Sequence, residues 1–123
     1  NESGVDLIVD GVVSRPIGEL PSDTTAVNFG KISKIDSEIS KEDIAAGIVN
    51  LVGQTAARVA TSVATTFNAK EIVVVGRSPS FNGLKNSLEQ AASIMGFSPY
   101  FPKNGEYASA LGALLVAEKN PSD

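Results

Sequence analysis

Between Ser40 and Asn68 the apolar side chains fall at Ile44, Ile48, Val52, Ala56, Val59, Val63 and Phe67. Steps of three and four residues trace one face of an α-helix, because about 3.6 residues complete a turn. No other pattern in the chain limits its fold as tightly. Ser40 followed by Asp43 predicts an N-terminal cap, a capping box with Asp in the acidic position, and Glu42 adds negative charge to the first turn. Asn68 is placed to end the helix. Gly47, Gly53, Ala57, Ala60 and Ala64 flank the stripe. Small residues let another backbone come close, so the expectation is a long helix buried on more than one side.

Beyond Asn68 strands and helices alternate. Ile72-Val73-Val74-Val75 closed by Gly76 reads as a buried strand, parallel because it lies between two helices. Arg77-Ser78-Pro79-Ser80 is a loop, and a helix runs from about Asn82 to Met95 with Leu84, Leu88, Ala91, Ala92 and Met95 inward. Gly96 caps it. Phe97 to Phe101 is a short strand whose Pro99 suits an edge. Pro102-Lys103-Asn104-Gly105 is a turn, and Glu106 opens a last helix to about Lys119. In that helix Ala108-Ser109-Ala110 and Gly112-Ala113 imply tight packing.

The segment 1–39 is broken by Gly and Pro. Val5 to Val9 and Val12-Val13 carry strand-forming residues. Arg15-Pro16-Ile17-Gly18 and Leu20-Pro21-Ser22-Asp23 read as turns, while Thr24 to Gly30 shows no assignable pattern. The expectation is a single domain over 1–123: a lead-in over 1–39, then helix-strand-helix-strand-helix over 40–119. That order means an α/β layer architecture.

Composition removes chemistry. The 123 residues contain no Cys and no His, so thiolate catalysis, disulfides and cysteine-bound metal are excluded, as is the commonest general base. With no Trp, five Phe and two Tyr, the core must come from Ala, Val, Ile and Leu. Ten Lys and Arg against fourteen Asp and Glu give a net charge of −4, which argues against nucleic acid or an anionic membrane as partner. No apolar run approaches membrane-span length and no signal peptide is visible, so the expectation is a soluble, cytoplasmic protein. A start at Asn1 without an initiator Met points to a processed chain or a piece of a longer one.

Two segments are candidate sites. In open α/β sheets ligands sit beyond the carboxyl ends of the strands, which singles out Gly76, Arg77, Ser78 and Asn82. Gly76 permits close backbone approach, Arg77 adds positive charge, and Ser78, Ser80 and Asn82 can hydrogen-bond a ribose or a base. The alternative is an ordinary turn with a solvated arginine. The second segment is Asn104-Gly105-Glu106-Tyr107. Glu106 is either a polar site residue or a carboxylate that complements a helix dipole. There is no GxxxxGK[ST] loop, no GxGxxG after a strand and no convincing nucleophile. No catalytic or metal-ligating residue is assigned within this chain.

Three of these stretches carry a family resemblance. Pro21-Ser22-Asp23-Thr24-Thr25-Ala26-Val27-Asn28-Phe29-Gly30 resembles the segment before the long helix of type II pantothenate kinases. Ile72 to Ser78 followed by Asn82-Gly83-Leu84 looks like that family's nucleotide-proximal strand and loop. Gly96-Phe97-Ser98-Pro99-Tyr100-Phe101, then Asn104-Gly105-Glu106-Tyr107 and Ala110-Leu111-Gly112-Ala113-Leu114, resembles its C-terminal signature. The order and spacing match over about residues 5–118.

The resemblance implies a ribonuclease H-like lobe of the actin/hexokinase-type ATPase fold, built as a long buried helix followed by strand-helix-strand-helix. This chain would be the C-terminal lobe, with the phosphate motif and the catalytic carboxylate in an N-terminal lobe that is missing here. ATP with Mg would be the cofactor, pantothenate or a related small molecule the substrate, and a homodimer the assembly. Gly76, Arg77, Ser78 and Asn82 would lie near the adenosine, while Asn104, Gly105 and Glu106 would shape the lobe or the dimer. Arg77 stands where relatives usually carry a small or neutral residue, and Pro79 stiffens the loop. Ser40 to Gly47 also looks like a segment of the activator ATPases of radical dehydratases, whose cluster-binding cysteines this chain lacks. Other open readings are an acyl or sugar kinase of the same superfamily and a non-catalytic dimerisation lobe.

Overall fold

The computed structural model describes residues 4–15, 18, 20–33 and 38–119. A two-stranded antiparallel ribbon, β1 (Leu7–Ile8) with β2 (Thr25–Val27), precedes three helices: α1 (Lys41–Thr66), α2 (Asn82–Ile94) and α3 (Ala108–Lys119). The segment without assignable pattern thus supplies β2. Its pairing is extended past a register shift by Val9 N–H donating to the Thr24 carbonyl at 2.9 Å and Asp10 N–H to that of Ser22 at 3.0 Å. The turn expected at Arg15 to Gly18 falls partly outside the described residues.

Helix α1 begins where its cap predicts, with Ser40 Oγ accepting the Asp43 N–H at 3.0 Å. It ends in a Schellman turn. Asn68 takes a left-handed φ of 53°, its N–H bonds to Thr65, and Ala69 N–H bonds to Ala64 at 2.8 Å. Helix α2 closes the same way around Gly96, with Phe97 N–H on Ala92 at 3.1 Å. Each turn delivers the chain directly into an extended segment. These meet at one parallel bridge, Val73 with Tyr100, supported by Val74 N–H to the Tyr100 carbonyl and Tyr100 N–H to that of Ile72. The predicted parallel direction is observed, but the pairing is a single bridge.

The core is the interface between α1 and α2. Ala57, Leu88 and Ala92 are buried together, and Val74, Ala91, Phe97 and Phe101 pack against them. Leu88 and Ala92 thus face inward as the periodicity predicts, whereas Met95 is exposed.

For α1 the periodicity identifies the helix and misassigns its buried face. The residues it buries are Gly47, Asn50, Gly53, Ala57, Thr61 and Ala64. The large apolar stripe lies on the opposite side, with Ile48 50%, Val59 60% and Phe67 78% exposed. The expectation of burial on more than one side is therefore corrected: α1 is buried on one. The reason is steric. A Cβ on Gly53 would lie 2.7 Å from both Cβ and Oγ of Ser87, and one on Gly47 would lie 2.5 Å from Val5 Cγ2. Small residues let the backbones of α1 and α2 close to a separation that a Val or Ile stripe would hold apart.

Two further expectations change. Val73 and Val75 are about half exposed, because among the described residues the segment pairs only with the one around Tyr100 and helices cover one of its faces, that of Val74. Helix α3 follows a short 3-10 turn at Gly105–Tyr107 and buries none of its residues. A Cβ on Gly112 would meet nothing within 4 Å, so the small residues of α3 do not mark a tight contact within this chain.

Candidate functional site

A cleft beside the candidate residues lies between the N-terminal halves of α1 and α2 and measures about 430 Å³. One wall is apolar and low: Ala45, Ala46 and Val49 of α1. The other carries Asn82, Asn86 and Gln90, which recur every four residues and so share one face of α2. Phe81 and Gly83 stand at the mouth, while Asn50 and Ser87 form the base. The lining has no charged side chain. It offers short apolar surface opposite a row of amides, each able both to donate and to accept.

The base of the cleft is fixed by a buried polar network. Asp6, fully shielded from water, accepts Phe29 N–H at 2.7 Å and Asn50 Nδ2 at 2.9 Å. Asn50 Nδ2 also donates to Thr25 Oγ1 at 3.1 Å. Its Oδ1 lies 2.6 Å from Ser87 Oγ, which is also 2.9 Å from the Asn50 carbonyl oxygen. The single hydroxyl proton of Ser87 is shared between those two acceptors. With both amide protons and the amide oxygen engaged, Asn50 can hold only one orientation. One residue thereby joins the lead-in, β2, α1 and α2.

Of the residues predicted for nucleotide contact, Asn82 lines this cleft. Gly76, Arg77 and Ser78 form the loop that leads to it. Gly76 has φ of 100°, and the carbonyl oxygens of Arg77 and Ser78 accept the N–H groups of Ser80 and Phe81 at 3.1 Å each. Arg77 is exposed. The two predicted segments do meet: Gly76 N–H donates to the Gly105 carbonyl at 2.9 Å. Asn104 holds a left-handed φ of 59° that turns the chain into that contact, Gly105 is buried, and Glu106 sits exposed in the first turn beyond it.

Sequence reasoning missed Asn50, Asn86, Ser87 and Gln90. The spacing of Asn82, Asn86 and Gln90 was available as a signal. Asn50 was hidden because an amide within a helix shows such a role only through partners 25, 37 and 44 residues away.

Curated relatives match along nearly the whole chain. A type II pantothenate kinase of Staphylococcus epidermidis is 29% identical over 118 residues, covering 94% of this chain and 44% of that protein. A type II pantothenate kinase of Staphylococcus aureus strain MRSA252 is 29% identical over 116 residues, covering 93% and 43%. That of strain USA300 is 30% identical over 114 residues, covering 91% and 43%. No family model matches the chain. The resemblance expected from the three motifs is thus found, and the chain is similar to type II pantothenate kinases while spanning less than half their length.

Proposed function

We propose that this chain is the nucleotide-binding C-terminal lobe of a pantothenate kinase-like, ATP-dependent phosphotransferase. The observation that carries the reading is the α1–α2 cleft, in a chain similar to type II pantothenate kinases over nine-tenths of its length. At about 430 Å³ the cleft falls in the size range of small-molecule sites, roughly 300–1,000 Å³. A purine needs a flat apolar wall and hydrogen-bonding groups along its edge. Ala45, Ala46 and Val49 supply the wall, Asn82, Asn86 and Gln90 the edge, and Phe81 a ring face at the mouth.

In this reading Gly76, Arg77 and Ser78 form the rim past which the ribose and phosphates leave. Asn104, Gly105 and Glu106 brace that rim through the Gly76–Gly105 hydrogen bond. Bound ATP would supply the transferable phosphoryl group, and this chain would bind and orient its adenosine end. Among the described residues no group of three or more acidic or His/Cys side chains gathers to hold a metal ion, so no residue of this chain is assigned to magnesium. The rest of the proposal follows from the motif resemblance, which implies a ribonuclease H-like lobe, pantothenate as the alcohol phosphorylated and a second lobe carrying the phosphate and substrate groups, and from the sequence expectation of a cytoplasmic protein. Among the described residues no helix is long and apolar enough to cross a membrane.

The test is amide chemical-shift mapping with ADP and ATP. Shifts at residues 45–50 and 81–90, with a dissociation constant of about 1 mM or tighter, are expected. No shift at higher nucleotide, or shifts elsewhere, would overturn the nucleotide assignment. Turnover of pantothenate by the 123-residue chain alone would overturn the lobe reading.

A further inference from the structure

We infer that a second, smaller cavity, lined by Arg58, Thr24, Gln54 and Gln90, is a binding site for a tetrahedral oxyanion of the size of inorganic phosphate. It measures about 70 Å³ and lies where the C-terminal half of α2 passes the start of β2 and the middle of α1. The site is separate from the nucleotide cleft and stands whether or not that cleft takes a nucleotide. Gln90 lines both.

The polar lining is a set of donors in want of an acceptor. Among the described residues the Arg58 guanidinium has neither an ion pair nor a hydrogen bond, although it carries five N–H groups. The Gln90 side chain is likewise unpartnered there, its backbone carbonyl alone accepting a bond from Ser93. Thr24 Oγ1 is shielded from solvent and has no hydrogen-bond partner. Gln54 is held only at 3.4 Å from Asn28 and 3.5 Å from Asn50, with one amide proton left over. Among the described residues no carboxylate lines the cavity. An unpaired cation ringed by neutral donors selects an anion, and the planar fork of arginine matches two oxygens of a phosphate.

Size and rigidity narrow the ligand further. About 70 Å³ is roughly twice a water's share of liquid volume, enough for one phosphate-sized ion and too little for a nucleoside. Ala91, Ile94 and Met95 form an apolar side that leaves water few places to compete with the ion. The opposite wall is set in advance by bonds that need no ligand. Thr25 Oγ1 accepts Asn50 Nδ2 at 3.1 Å, Thr24 N–H donates to the Pro21 carbonyl at 3.1 Å, and the Thr24 carbonyl accepts Val9 N–H at 2.9 Å.

The test is amide chemical-shift mapping of the chain with sodium phosphate, ionic strength being held constant with sodium chloride. Saturable shifts at residues 24–25, 54–58 and 90–91 are expected, with a dissociation constant of about 1 mM or tighter. Sulfate should do the same and chloride should not. Arg58→Gln should weaken phosphate at least tenfold, and Arg58→Lys should restore only part, since a point charge lacks the fork. Thr24→Val should weaken it severalfold while leaving the urea midpoint unchanged or raised, because it removes a buried hydroxyl without a partner. Adenosine, which carries no phosphate, should shift the cleft residues 45–50 and 81–90 and leave Arg58 unmoved. Failure with adenosine alone would count against the nucleotide cleft and not against the anion site. Shifts that do not saturate, that chloride reproduces, or that survive Arg58→Gln undiminished would overturn the inference.

Discussion

The carboxylate of Asp6 and the side-chain amide of Asn50 lie 2.9 Å apart, 44 residues distant in sequence, in a site that shields both from water. Neither has a counter-charge in that contact. The pair holds because Asp6 also accepts the Phe29 N–H and because Asn50 is satisfied at every polar atom.

Asp6→Ala should therefore cost about 2–4 kcal/mol of stability, since it strands the Phe29 N–H and an Asn50 proton without acceptors. Asp10→Ala, at an exposed position, should stay within about 0.5 kcal/mol of the parent. Urea unfolding of the two variants makes the comparison. Equal effects would mean that the network does not anchor the lead-in.

Two glycine-to-alanine changes should move stability in opposite directions although both lie inside helices. Gly53→Ala forces a methyl group against Ser87 and should destabilise by roughly 1–3 kcal/mol. Gly112→Ala meets nothing and should stabilise by up to about 1 kcal/mol through helix propensity. Thermal melts of both variants are enough, and a gain for Gly53→Ala would contradict the close approach of α1 and α2.

Ala46→Leu should block the cleft without weakening the fold. The residue is half-buried on the low wall, and leucine is a good helix former. Nucleotide affinity should fall at least tenfold, about 1.4 kcal/mol, while the melting temperature stays within a few degrees. Unchanged affinity would move the nucleotide elsewhere.

Ser40→Ala removes the acceptor of the Asp43 N–H and should cost about 1 kcal/mol, read from the urea midpoint. Ser40→Asp should restore most of it. If Ser40→Ala is silent, the first turn of α1 does not contribute to the cooperative unit.

The positions of α1 and α2 were legible to within a residue or two because caps and periodicity are local. Ser40, Asn68 and Gly96 act through backbone groups a few residues away, so no tertiary information is needed to read them. The loop after Gly76 and the turn before Gly105 were legible too, as local backbone structure. Their meeting through Gly76 and Gly105 was not, because 29 residues separate the two and nothing local encodes that distance.

The amino-acid sequence by itself determined where helices begin and end, which chemistry a chain without Cys or His can perform, and which relatives it resembles. The tertiary structure decided which side of α1 is inside. Periodicity reports that a helix has an apolar face; it does not report whether that face or the small-residue face meets a neighbour. Hydrophobic burial alone favours Ile and Val inside. The close approach that brings Ser87 and Asp6 onto Asn50 favours Gly and Ala instead. In this chain backbone proximity and a satisfied polar network set the inner face, and the large apolar stripe was left outward.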